Sequence, residues 1–99
     1  MTDVDDEKLR DDQLARQQLL VQRDIDDIKF VMGSEQGRRV IWSLLEKGKV
    51  FAPCFTGDSH LTAFNEGQRN LALALFQRVM AHCPEQYLKM AAESQEKDK

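Results

Sequence analysis

The sequence predicts an all-α fold, a small bundle of three to four helices with a long N-terminal helix. Three observations carry this. Apolar residues recur at steps of three and four along most of the chain, the period of a helix. The clearest breaks are few: Gly33-Ser34, Pro53 with Gly57, and Pro84. The one irregular stretch, residues 48–61, has no second strand-like segment to pair with. The 99 residues suit one small domain. Such a domain buries only about 60–65% of its unfolded surface, so its stability margin is thin.

The first helix is expected over residues 5–32, a stretch without Gly or Pro. Leu14, Gln18, Val21, Ile25, Ile28 and Met32 form one stripe at heptad spacing. Gln18 interrupts that seam, so packing of the stripe on the rest of the chain is expected rather than a free coiled coil. Leu9, Leu19, Leu20 and Phe30 lie partly off the stripe and offer a second flank to a partner. Residues 1–8 are expected to fray, because no apolar face begins there. Gly33 can close this helix in the left-handed conformation. Ser34 can cap the next, and Glu35 then meets the positive end of its dipole.

A second helix over residues 35–47 follows from Val40, Ile41, Leu44 and Leu45, with Trp42 at the edge of that face. Lys47-Gly48 supplies its C-terminal signal. Residues 48–61 cannot be a continuous helix because of Pro53 and Gly57. Val50, Phe51 and Phe55 make it an ordered loop folded back onto the core. The third helix starts near Ser59 or Thr62 and runs to Met80, with Phe64, Leu71, Leu75 and Val79 on its buried face. Gly67, costly in a helix interior, is expected where another element approaches closely. Pro84 opens a fourth helix over residues 84–93. The chain thus divides into an acidic helical segment, 1–33, a helical core, 34–93, and a disordered tail, 94–99.

Charge and composition narrow the function. Lys and Arg total 14 against 17 Asp and Glu, a net charge of −3. Residues 1–34 carry net −4 and residues 35–99 net +1. The composition excludes a disulfide scaffold, a collagen-like chain and full disorder. No apolar run approaches the roughly 18 residues of a membrane span. The acidic N-terminus is unlike a secretory signal, so a cytosolic chain is expected.

No catalytic residue, cofactor or metal site follows from the residues. Cys54, His60, His82 and Cys83 lack the paired spacing of zinc ligands. No nucleophile–base pair stands at a recognisable spacing. Arg38-Arg39 is an isolated basic pair in an acidic chain, which disfavours nucleic acid. Pairing with Asp24, Asp26 or Asp27 of the first helix is expected instead. Asn65, Glu66, Arg69 and Asn70 form a polar cluster whose members neighbour one another at helical spacing. It is either a partner-contact patch or a Glu66–Arg69 salt bridge that holds the loop over the helix start.

Two stretches carry a family resemblance. One is Phe30-Val31-Met32-Gly33-Ser34-Glu35-Gln36-Gly37-Arg38-Arg39-Val40-Ile41-Trp42. The other is Phe55-Thr56-Gly57-Asp58-Ser59, followed by Thr62-Ala63-Phe64-Asn65-Glu66-Gly67-Gln68-Arg69-Asn70. With Pro84 and Tyr87, this pattern resembles a family of short proteins of tailed phages and prophages, encoded among head, portal and terminase genes. The resemblance covers residues 26–93 and leaves residues 1–25 outside. It implies a non-enzymatic virion structural or head-assembly protein that docks helices onto head, portal or internal virion proteins, with self-association a further option. The site would be host cytoplasm during assembly, or the virion. A DNA-associated or regulatory module in packaging is the alternative. Arg38, Arg39, Phe55, Asn65, Glu66 and Arg69 sit at recurrent positions of the pattern, as partner contacts or as fold-defining residues.

Overall fold

The computed structural model describes residues 3–51 and 57–97. Four helices follow one another: α1 (Asp3–Met32), α2 (Glu35–Lys47), α3 (Ser59–His82) and α4 (Pro84–Lys97). No strand occurs among the described residues, as the all-α reading requires. Phe55, Cys54 and Pro53 lie outside the described residues, so the expected fold-back of Phe55 does too.

Helix ends follow local chemistry, with corrections. Ser34 caps α2 as expected, its hydroxyl accepting from the Gly37 N–H at 3.0 Å. The third helix is capped instead by Asp58, which accepts from the N–H groups of His60 and Leu61 at 2.8 and 3.1 Å. A carboxylate there also meets the positive helix end, which the hydroxyls of Ser59 and Thr62 cannot match. α1 is helical from Asp3, where fraying was expected through residue 8. Acidic residues in its first turns favour the helix even without an apolar face. α4 runs to Lys97, past the expected boundary at 93, so residues 94–97 are helical rather than a disordered tail.

Gly33 does not adopt the left-handed conformation, and no glycine among the described residues does. The left-handed residue is Lys49, with φ 57°. Around it the N–H of Lys49 donates to Glu46 O and that of Val50 to Leu45 O, at 3.0 and 3.2 Å. These are the two bonds of a Schellman turn. The glycine stands one residue earlier for a different reason. A Cβ on Gly48 would lie 2.2 Å from the Cβ of Ala72, so α2 ends directly against α3.

The core is small: Ile28 and Met32 of α1, Ile41 and Leu45 of α2, Val50, Ala72 and Val79 of α3, Cys83, and Met90 of α4. Beside it runs a row of rings. Trp42 stacks on Phe51 at 5.5 Å, Phe51 meets Phe76 edge-on at 6.0 Å, and Phe76 meets Tyr87 at 5.4 Å. Such pairs add about 0.5–1.5 kcal/mol each beyond area burial.

Three faces differ from expectation. Only the C-terminal end of the α1 stripe packs: Ile28 and Met32 are buried, whereas Leu14 and Val21 are exposed. α1 is about 45 Å long at the helical rise, and its partners cover only its last turns. On α3 the buried positions are Asn65, Ala72 and Val79, while Phe64 and Leu71 are exposed. Residues 65, 72 and 79 share a heptad seam; small Ala72 permits the close crossing at Gly48, which a Leu would block. Val40 and Leu44 of α2 are likewise exposed. Gly67 is corrected as well. A Cβ there would meet nothing within 4 Å, so no element approaches it.

The result is an extended molecule. Its radius of gyration is 19.2 Å, against about 13 Å for a compact chain of this length. The extents are 65 × 37 × 16 Å.

Candidate functional site

The Gly37-Arg38-Arg39 motif opens α2, and each residue has a separate task. A Cβ on Gly37 would fall 1.8 Å from the Val31 carbonyl oxygen, so the first turn of α2 rests on the last turn of α1. That contact brings Arg38 beside the C-terminus of α1. Its Nη1 donates to the Met32 carbonyl at 2.9 Å. This oxygen is one of the helix-end acceptors that has no partner within its own helix.

Arg38 is also buried, 4% exposed, and needs a counter-charge. Glu93 of α4 supplies it. Nε donates to Oε1 at 2.7 Å and Nη2 to Oε2 at 3.0 Å, a two-pronged arrangement that only a guanidinium can make. Gln86 accepts a longer bond at 3.4 Å. The hydrogen bond to Glu93 raises the Arg38 pKa against the opposing effect of burial, helped by the charges of Glu93 and Glu35. Reciprocally, the bond from Arg38 holds the Glu93 carboxyl below its ordinary value. Partial burial opposes this, and the charges of Arg38, Lys89 and Arg39 add to it. Arg38 thus ties α1, α2 and α4 together. It does not pair with Asp24, Asp26 or Asp27 of α1. The α1 contact near those acids is made by Arg78, whose Nη2 donates to the Asp24 carbonyl at 2.7 Å.

Glu93 and Gln86 escaped the sequence reading, although a signal existed. Arg38 precedes Ile41 and Leu45 by three and seven residues, which puts it on the buried stripe of α2. Gln86, Met90 and Glu93 are likewise spaced four and three on α4. An Arg on one core-facing stripe calls for an acid on another.

Arg39, by contrast, is exposed. It lines a cleft of about 240 Å³ between α2 and α4, together with Glu35, Trp42, Ser43, Glu46, Met90 and Ser94. Half-buried Trp42, backed by the ring row, forms an apolar wall. Charges of both signs surround it. The cleft can receive a side chain from a partner, with the aromatic wall taking its apolar part and the rim its polar end.

The α3 cluster is separate. Asn65 is buried, Arg69 is half-buried, and Glu66 and Asn70 are exposed. Among the described residues no ion pair joins Glu66 to Arg69, contrary to the expected salt bridge. The Nε of Arg69 is buried and has no hydrogen-bond partner among the described residues. No described hydrogen bond links this cluster to Arg38 or Arg39. Among the described residues, Arg38 and Arg39 line the α2–α4 cleft, and Asn65, Glu66 and Arg69 do not.

Among the described residues no group of three His, Cys, Asp or Glu is placed to hold a metal. Cys83 is buried, and burial pushes its thiol above the ordinary value, aided by Glu85 and opposed by Lys29. A thiol so held is a core residue, not a nucleophile. No helix among the described residues is long and apolar enough to cross a membrane.

Comparison with known proteins gives one match. The model of a family described as Bbp19-like phage protein matches residues 28–92. That stretch takes in the last turn of α1, Arg38 with its acceptors Met32 and Gln86, the cleft residues up to Met90 and the α3 cluster, and leaves most of α1, Glu93 and Ser94 outside. No curated protein and no solved structure matches the chain.

Proposed function

The chain belongs to the Bbp19-like phage protein family, and on that premise we propose that it is a non-enzymatic virion structural or head-assembly protein. It acts by docking onto a larger component of the particle, a head, portal or internal virion protein, in the host cytoplasm during assembly or within the virion.

The observation that carries this reading is the α2–α4 cleft. Exposed Arg39 stands beside half-buried Trp42 in a concave site. Trp and Arg are the side chains most often responsible for binding energy at protein interfaces. The cleft walls are braced by the Arg38–Glu93 pair, so the site is held in shape before a partner arrives.

The packaging alternative would draw on Arg38, Arg39, Lys47 and Lys49, and it loses Arg38, which is buried against Glu93. Arg39, Lys47 and Lys49 remain, too few for a phosphate-binding face in an acidic chain.

Quantitative mass spectrometry of washed particles and of assembly intermediates tests the proposal. A fixed ratio of this chain to the major head protein is expected. Arg39→Glu, which leaves the buried pair intact, should lower that ratio. Absence from both particles and intermediates would refute the assignment.

A further inference from the structure

We propose that the chain is a two-fold homodimer in which the projecting part of α1 from each copy lies in the α2–α3 groove of the other. This goes beyond the assembly role and does not depend on it.

The first argument is area. The chain exposes 7669 Å². A compact monomer of 11.4 kDa exposes about 5,800 Å². The excess is roughly 1,900 Å² per chain, more than twice the roughly 800 Å² that each partner gives to a standard interface. Two copies hiding this excess would reach the range of obligate homodimers.

The second argument is that both halves of the contact are present on one chain. The stripe that packs α1 through Ile28 and Met32 continues outward through Val21 and Leu14, both exposed. On the far side, Leu44, Leu71 and Leu75 line a groove between α2 and α3. Leu44 and Leu71 are 46% and 78% exposed, though they lie on helices that form the core. The groove owes its depth to the close crossing of Gly48 on Ala72. A helix with an apolar face fits such a groove.

Geometry excludes the chain's own arm. α1 is one uninterrupted helix without Gly or Pro, so its outer part cannot fold back past its packed end. The same arm presented by a second copy reaches the groove, and a two-fold axis makes the exchange reciprocal and closed.

Sedimentation equilibrium of the full chain is the test, because an elongated monomer misleads elution volume. The expected mass is twice 11.4 kDa. Val21→Glu and Leu71→Glu each alter an exposed side chain, so helical circular dichroism should persist while the mass falls to that of one chain. Mixing the two variants should restore dimer above the level of either alone, because one arm and one groove remain intact. A monomeric wild-type chain at tens of times micromolar concentration would overturn the proposal. So would a Leu71→Glu chain that stays dimeric while Val21→Glu does not, since that pattern describes two arms paired with each other.

Discussion

Gly48→Ala and Gly67→Ala make the same chemical change at two glycines, and packing gives them opposite signs. At Gly48 the added Cβ would sit 2.2 Å from the Ala72 Cβ. Carbon atoms rest at about 3.5–4.0 Å, so α2 and α3 must part by roughly 1.3–1.8 Å. Ala72 is a short side chain on helical backbone and cannot swing aside. Overpacking of this kind costs about 1–3 kcal/mol. Gly48 is the C-cap residue of α2, so little helix-propensity gain offsets the clash. At Gly67 nothing lies within 4 Å, and the position is an exposed helix interior. There Ala should gain about 0.5–1 kcal/mol. A domain of this size moves its thermal midpoint by about 4–8 °C per kcal/mol. Gly48→Ala should therefore melt at least about 4 °C below the parent, and Gly67→Ala about 2–8 °C above it. Thermal unfolding followed by circular dichroism reads both, at one fixed protein concentration, since dimerisation makes the midpoint concentration-dependent. A Gly48→Ala chain as stable as the parent would mean that α2 and α3 do not cross where the structure places them. A destabilised Gly67→Ala chain would mean that its face is occupied.

Four further outcomes are expected. Arg38→Ala should lower the thermal midpoint markedly, and Arg38→Lys should not restore it, because an ammonium cannot bridge both Glu93 oxygens and Met32 O; Arg39→Ala should change stability by no more than about 0.5 kcal/mol. The Glu93 carboxyl is depressed in the fold, so its contribution is present above the ordinary value of 4.5 and fades as pH falls through the lower folded value. Denaturant titrations across the acid range should show that loss in the parent and a flatter profile in Glu93→Gln. Lys49→Gly should raise stability by up to about 1 kcal/mol in urea unfolding, because a left-handed φ of 57° strains any residue with a Cβ. Peptide mass spectrometry after iodoacetamide at pH 8 should find Cys83 unmodified in the folded chain and alkylated in denaturant, since its raised pKa and burial leave neither thiolate nor access.

The number of helices, their class and most of their boundaries could be read in the chain. These are local matters: Ser34 caps α2, Pro84 opens α4, and a Gly-Ser pair parts α1 from α2. The motif residues were also visible, but not their roles. Gly37 and Arg38 serve the α1–α2–α4 junction, Arg39 faces the cleft, and Asn65 is buried on α3 apart from both. The partner of Arg38 lies 55 residues away, and nothing within one helix indicates which acid will arrive there.

Helical periodicity states which residues share a face, not which face turns inward. On α3, Phe64 and Leu71 mark one face and Asn65 and Ala72 the next, with Val79 on the border that the two share. A residue-by-residue scale favours the first. The structure buries the second, because two helices that cross at Gly48 and Ala72 need small residues at the contact. On α1 the stripe runs from Leu14 to Met32 with Gln18 interrupting it, yet the chain supplies helices to cover only its end. Secondary structure was thus determined by hydrogen bonding and caps a few residues apart. The choice of buried face, the Arg38–Glu93 pair and the uncovered arm were decided by shape and charge meeting across the fold.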